Sequence, residues 1–216
     1  LSMNHWLASL RQNLATLEAA EADQARKADV LHADVVEQTL EADARRPARL
    51  EQWAASFAEG LSPSAEVLDI GSGLDWLHSL SGCGVNVTAI NQNNEIGQRI
   101  RDAGITIAVA EPSVVLARIA DQSLDGVTIL DFASVLRGIP AVILLEILRR
   151  VLRPDGQVLF GMGPESATIS DLLEGRPSAF VDGDLIERAL RVSGFVEIRR
   201  IASVENSYCV IARQPR

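Results

Sequence analysis

The chain has 216 residues, 47% of them hydrophobic and 23% charged, which is enough apolar material for one packed domain and too much for a disordered chain. Its net charge of −9, with no basic run longer than two residues, argues against nucleic acid as the main partner, and no apolar run reaches the roughly 18 residues of a membrane span. Two cysteines, Cys83 and Cys209, are too few for a disulfide framework or a zinc site, so no metal is expected and a reducing, cytoplasmic setting is the default. Leu1 to Leu10 has no basic region followed by an apolar core, so no secretory signal is read there. Residues 1–46 contain neither glycine nor proline and predict a helical arm, as one helix or two. A 3,4 spacing is apolar at Leu7, Leu10, Leu14 and Leu17 and again at Ala28, Leu31 and Val35, but polar between them at Glu21 and Gln24. An unbroken coiled coil keeps that stripe apolar, so the arm is expected to pack on its own domain or to pair with a protein partner or a second copy through its two ends. Pro47 ends it by removing a donor, and a second helix follows over 48–58. The division expected is a helical arm over 1–60 and an α/β domain over 61–216.

From Ala65 onward, short apolar runs alternate with amphipathic stretches, the pattern of parallel strands joined by crossover helices. Strands are predicted over Glu66 to Ile70, Val85 to Ile90, Ile105 to Ala110, Gly126 to Leu130 and Gln157 to Gly161. Between them lie helices over Asp75 to Ser81, Asn94 to Ala103, Val114 to Ala120 and Ala141 to Leu152, with a Pro154-Asp155-Gly156 turn before the fifth strand. A helix over Asp184 to Ser193 and two runs, Phe195 to Ile201 and Ser207 to Arg213, complete the chain as an antiparallel hairpin at a sheet edge.

The segment Val67-Leu68-Asp69-Ile70-Gly71-Ser72-Gly73 carries the strongest chemical signal, an apolar strand that runs into a glycine turn and opens a helix. Such a turn lets a nucleoside-like ligand approach the backbone while the helix start offers free N–H groups, although glycine turns of this kind also serve plain helix-strand packing. A Ser-His-Asp hydrolase is excluded because no Gly-x-Ser-x-Gly elbow precedes a histidine.

This segment, followed by Val87-Thr88-Ala89-Ile90-Asn91, Asp125-Gly126-Val127-Thr128-Ile129-Leu130 and Leu148-Arg149-Arg150-Val151-Leu152-Arg153-Pro154-Asp155-Gly156, resembles the class I S-adenosylmethionine-dependent methyltransferases. Within that family it is most similar to methyltransferase domains associated with bacterial surface-polysaccharide glycosyltransferases. The resemblance implies a Rossmann-like sandwich with a seven-stranded, mostly parallel sheet whose last strand is antiparallel, and S-adenosylmethionine bound across the carboxyl ends of the first four strands. It places Asp69, Gly71, Ser72 and Gly73 along the methionine and ribose portion, and Asn91 and Gln92 at the ribose and adenine edge. Glu111 and Pro112 would lie near the adenine amine, with Asp131 and Phe132 beside the methyl group. The implied activity is methyl transfer to a small-molecule or glycan acceptor; the alternative is an inactive methyltransferase-like module that binds or scaffolds within a polysaccharide-assembly protein. An NAD-dependent oxidoreductase is disfavoured, since no acid ends the second strand.

Two departures weaken the cofactor site. Asp75 stands where the family has a third glycine and puts a negative charge beside the cofactor carboxylate. Asn91 replaces an acid, and an amide offers one acceptor oxygen where a carboxylate accepts from both ribose hydroxyls, a loss of about 1.5–3 kcal/mol. The family's histidine cluster after the fourth strand is absent as well: the chain reads Asp131-Phe132-Ala133-Ser134-Val135-Leu136, and His5, His32 and His78 lie elsewhere. Asp131 is the weak substitute for a base, and no catalytic residue is assigned.

Overall fold

The computed structural model describes residues 48–130, 140–162, 183–202 and 208–216, all within one compact unit, Arg45–Arg216. The expected arm over 1–46, Asp131 and Phe132 lie outside the described residues. Helix α1 spans 48–58. It is followed by β1 (Glu66–Ile70), α2 (Leu74–Gly82), β2 (Asn86–Asn91), α3 (Asn94–Asp102), β3 (Thr106–Val109), α4 (Pro112–Leu116) and β4 (Leu124–Ile129). Then come α5 (Ala141–Val151), β5 (Leu152–Met162), α6 (Gly183–Val192), β6 (Val196–Ala202) and β7 (Tyr208–Arg213).

The strands form one seven-stranded sheet in the order β3-β2-β1-β4-β5-β7-β6, with β7 antiparallel to both β5 and β6 and the other pairings parallel. This is the Rossmann-like methyltransferase sandwich expected from the sequence. The central strands β4 and β5 are legible as apolar runs because helices cover both faces. Val67, Ala89, Leu159, Cys209 and Ile211 face α1, α2 and α3, where Leu50, Trp53, Phe57, Trp76, Leu77, Leu80 and Ile100 complete one core. Leu68, Ile70, Ile90, Val127, Ile129, Val158 and Phe160 face the other way, onto Leu116, Leu144, Leu148, Ile186 and Leu190 of α4, α5 and α6. Alternate residues of each strand thus serve opposite cores.

Helix α1 belongs to the first of these cores, with Trp53 and Phe57 almost wholly buried. The packed unit therefore takes in residues that a division at 60/61 assigns to the arm. The side-chain amide of buried Gln157 on β5 donates to the carbonyl of Phe57 near the end of α1.

Two elements differ from their predicted bounds for local reasons. Helix α4 begins at Pro112 rather than Val114, because proline fits the first helical position, where no donor is needed. Strand β5 begins at Leu152 rather than Gln157: Leu152 pairs with Leu124 and Gln157 with Gly126, so residues 153–156 bulge out of the ladder, with Asp155 at φ 65°.

Candidate functional site

The strand order reverses between β1 and β4: α2 and α3 carry the chain outward on one face, and the chain then returns to β4 on the other. A crevice outside the carboxyl ends of β1 and β4 is where open α/β sheets take ligands. The glycine turn after β1 lies on this rim. Gly71 sits at φ 84°, a left-handed conformation that a side chain resists, and its N–H donates to the carbonyl of Ile90.

A buried polar network fixes the turn from below. Register pairs Asp69 on β1 with Thr128 on β4, and the threonine hydroxyl donates to Asp69 Oδ1 at 2.7 Å. The Ser72 hydroxyl reaches the same oxygen at 2.8 Å and the Ser72 N–H reaches Oδ2 at 3.1 Å. The Trp76 indole N–H donates to Thr128 Oγ1, which ties α2 to the network. Burial is the dominant influence on the Asp69 carboxyl, raising its pKa from 3.8 to about 6, while the donors from Thr128, Ser72 and Trp76 oppose the rise. Trp76 therefore acts in the core, as its position in the helix suggests, and also as a polar strut. Trp76→Phe is expected to lower stability by about 0.5–1.5 kcal/mol by removing this one donor, which urea unfolding will read.

From β2, Asn91 holds the same turn from the other flank. It is buried, its amide nitrogen donates to the carbonyls of Gly71 and Ser72 at 3.3 Å each, and its oxygen accepts the Asn93 N–H at 2.9 Å. Two carbonyls and one N–H dictate this orientation of the amide, since the flipped one sets like against like. Asn93 in turn caps α3, accepting from the N–H groups of Glu95 and Ile96.

The residues predicted for the site therefore fall into three groups. Asp69, Ser72 and Asn91 are buried and hydrogen-bonded to the protein itself. Gly73, Gln92 and Glu111 are exposed on the rim, and Gly71 and Pro112 are half-buried. Asn91 pairs with Val109, the last residue of β3, so Gln92 and Glu111 both follow the carboxyl ends of paired strands. Asp131 and Phe132 lie outside the described residues. Thr128 and Asn93, which complete the network, were not read from the sequence; their signal is positional, a hydroxyl on the register partner of a buried acid and an Asx cap after β2.

Part of the rim is open. A Cβ built on Gly73 meets nothing within 4 Å, so the backbone there borders free space. Helix α2 starts at Gly73 without a side-chain cap, which leaves first-turn N–H groups to a ligand carboxylate. Asp75 in that turn is exposed. No group of three or more His, Cys, Asp or Glu side chains able to hold a metal occurs among the described residues. No helix of the described residues is long and apolar enough to cross a membrane. Cys83 donates its thiol to the Ser79 carbonyl, burial pushes its pKa up, and Cys209 is buried, so neither is an activated nucleophile.

No protein-family model and no curated protein matches the sequence. Solved structures do match the fold. A SAM-dependent methyltransferase from Archaeoglobus fulgidus superposes with a TM-score of 0.61 at 16% identity, covering 77% of this chain and 92% of that one. One from Aquifex aeolicus gives 0.54 at 19% identity, covering 78% of this chain and 98% of that one. Haemonchus contortus phosphoethanolamine N-methyltransferase 2, in complex with phosphomonomethylethanolamine and S-adenosylhomocysteine, gives 0.53 at 16% identity, over 72% of this chain and 50% of that one. Strand order, the antiparallel last strand and these superpositions together give the chain the class I methyltransferase fold.

Proposed function

We propose that the chain is an S-adenosylmethionine-dependent methyltransferase that acts on a small-molecule or glycan acceptor. The observation that carries this reading is the Gly71-Ser72-Gly73 turn at the sheet's switch point, with free space beside Gly73 and an uncapped helix start. Gly73 and the first turn of α2 would hold the amino-acid end of the ligand, and Gln92 and Glu111 its adenine edge, where a carboxylate can accept from an exocyclic amine. The bound cofactor supplies an activated methyl group. Transfer then requires the protein chiefly to align the acceptor, with a base only where the acceptor must lose a proton. Asp131 is the residue we assign to the acceptor side. The low cysteine content, two residues in 216, suits a cytoplasmic setting, and the arm over 1–46 would carry a protein partner or self-association.

Calorimetry and thermal unfolding with S-adenosylmethionine and S-adenosylhomocysteine test the reading. At a hundredfold excess over the dissociation constant, either ligand is expected to stabilise the protein by about 2.7 kcal/mol. A second reading is an inactive module in a polysaccharide-assembly protein, and Asn91 favours it, because its amide serves the backbone and offers little to a ribose. A flat response to both ligands would select that reading.

A further inference from the structure

We propose that Asn91 is a positioning residue whose partner is the glycine turn rather than the ligand's sugar, so that the site binds its adenosyl ligand without reading the ribose hydroxyls at the end of β2. The inference rests on the methyltransferase reading above for its ligand, while its geometry is that of this chain's own hydrogen bonds. Both donors and one of the two acceptor lone pairs of the amide have protein partners: Gly71 O, Ser72 O and the Asn93 N–H. The residue is 5% exposed, so its remaining lone pair has little access to the rim. The neighbouring amide at Asn93 is committed to the cap of α3. On the far side of the turn, Ser72 is held by Asp69, so Asn91 and Asp69 clamp Gly71 and Ser72 from β2 and β1.

The clamp makes a chemical demand that an acid at position 91 does not meet. A carboxylate has no proton to donate and would set negative oxygens against two carbonyls about 3.3 Å away. Asn91 then serves this turn rather than the ligand's sugar. Such a clamp contributes to binding by holding the turn's N–H groups and the start of α2 in place before the ligand arrives.

The test is calorimetry at pH 7.5 with S-adenosylhomocysteine and its 2′-deoxy counterpart, on the unaltered chain and on Asn91→Ala and Asn91→Asp, well below their melting temperatures. Loss of the hydroxyl is expected to change affinity by less than about threefold in the unaltered chain. Asn91→Ala is expected to weaken both ligands in parallel, by about tenfold, and Asn91→Asp to weaken them further. A hydroxyl worth tenfold or more in the unaltered chain and nothing in Asn91→Ala would assign residue 91 to the sugar and overturn the inference. Unchanged affinity in Asn91→Ala, or tighter binding by Asn91→Asp, would overturn it too. If the unaltered chain binds neither ligand, the methyltransferase reading and the sugar claim fail together, and thermal unfolding judges the clamp: Asn91→Asp must melt below Asn91→Ala, and an order reversed or equal rejects it.

Discussion

Asp69→Asn is expected to remove about 3 kcal/mol of pH-dependent stability between pH 4 and pH 6.5. The carboxyl keeps its proton in the folded chain up to about pH 6, whereas its ordinary value is 3.8, because burial penalises the charge more than its donors repay. Between those values the folded state holds a proton that the unfolded state has lost. Stability from this group is therefore present in full below about pH 4 and falls as pH rises toward 6, the reverse of an acid in a salt bridge. Asparagine preserves the shape. Its oxygen can take the Ser72 N–H, while its amide donates to the Ser72 and Thr128 hydroxyls, which rotate to accept. Urea unfolding of both proteins across this range gives the difference directly, so titration of the other carboxylates cancels. A difference that stays constant with pH would show that Asp69 titrates normally and that the network is better solvated than its burial indicates.

The same network shows how far the sequence could be read. Asp69, Gly71, Ser72, Gly73 and Asn91 stand out along the chain because a strand, a turn and a helix start follow one another within a few residues. Their partners do not. Thr128 lies 59 residues from Asp69 and meets it only through the pairing of β1 with β4. Position 91 shows the limit most clearly. Residue type alone reads asparagine there as a lost acceptor, whereas the fold brings two carbonyls to its amide, a contact that depends on the path of the turn.

The stretch from Leu148 to Gly156, the most specific mark of family resemblance, acts on the fold and away from the cleft. Arg150 donates to the carbonyls of Leu116, the last residue of α4, and of Ile119 just past it, and Arg153 pairs with Asp125, which also accepts the Glu66 N–H. Asp125, Glu66 and Leu152 mark the amino ends of β4, β1 and β5, opposite the glycine turn. Resemblance in this segment therefore speaks for the architecture, while the residues proposed to hold a ligand lie at the other end of the sheet.

The other large effect concerns α1, which the expected division at 60/61 groups with the arm. Phe57→Ala is expected to destabilise the domain by about 3–5 kcal/mol, because the ring is fully buried and its removal leaves a cavity between α1 and the sheet. Its seat on the sheet is Gly126: a Cβ there would lie 2.6 Å from the ring's Cζ and 3.4 Å from Leu61 Cδ1. No side chain at position 126 of β4 can coexist with the ring where it stands, so Gly126→Ala should cost about 1–3 kcal/mol through overpacking. In the Phe57→Ala background the added methyl enters the vacated space and its cost should largely vanish, giving a coupling of about 0.5–3 kcal/mol. Urea unfolding of the four proteins in the cycle measures this term. Additive effects would mean that α1 does not press on β4, and the core boundary would then move back toward residue 61. Strong coupling would make α1 an integral layer of the sandwich, required wherever the sheet itself is stable.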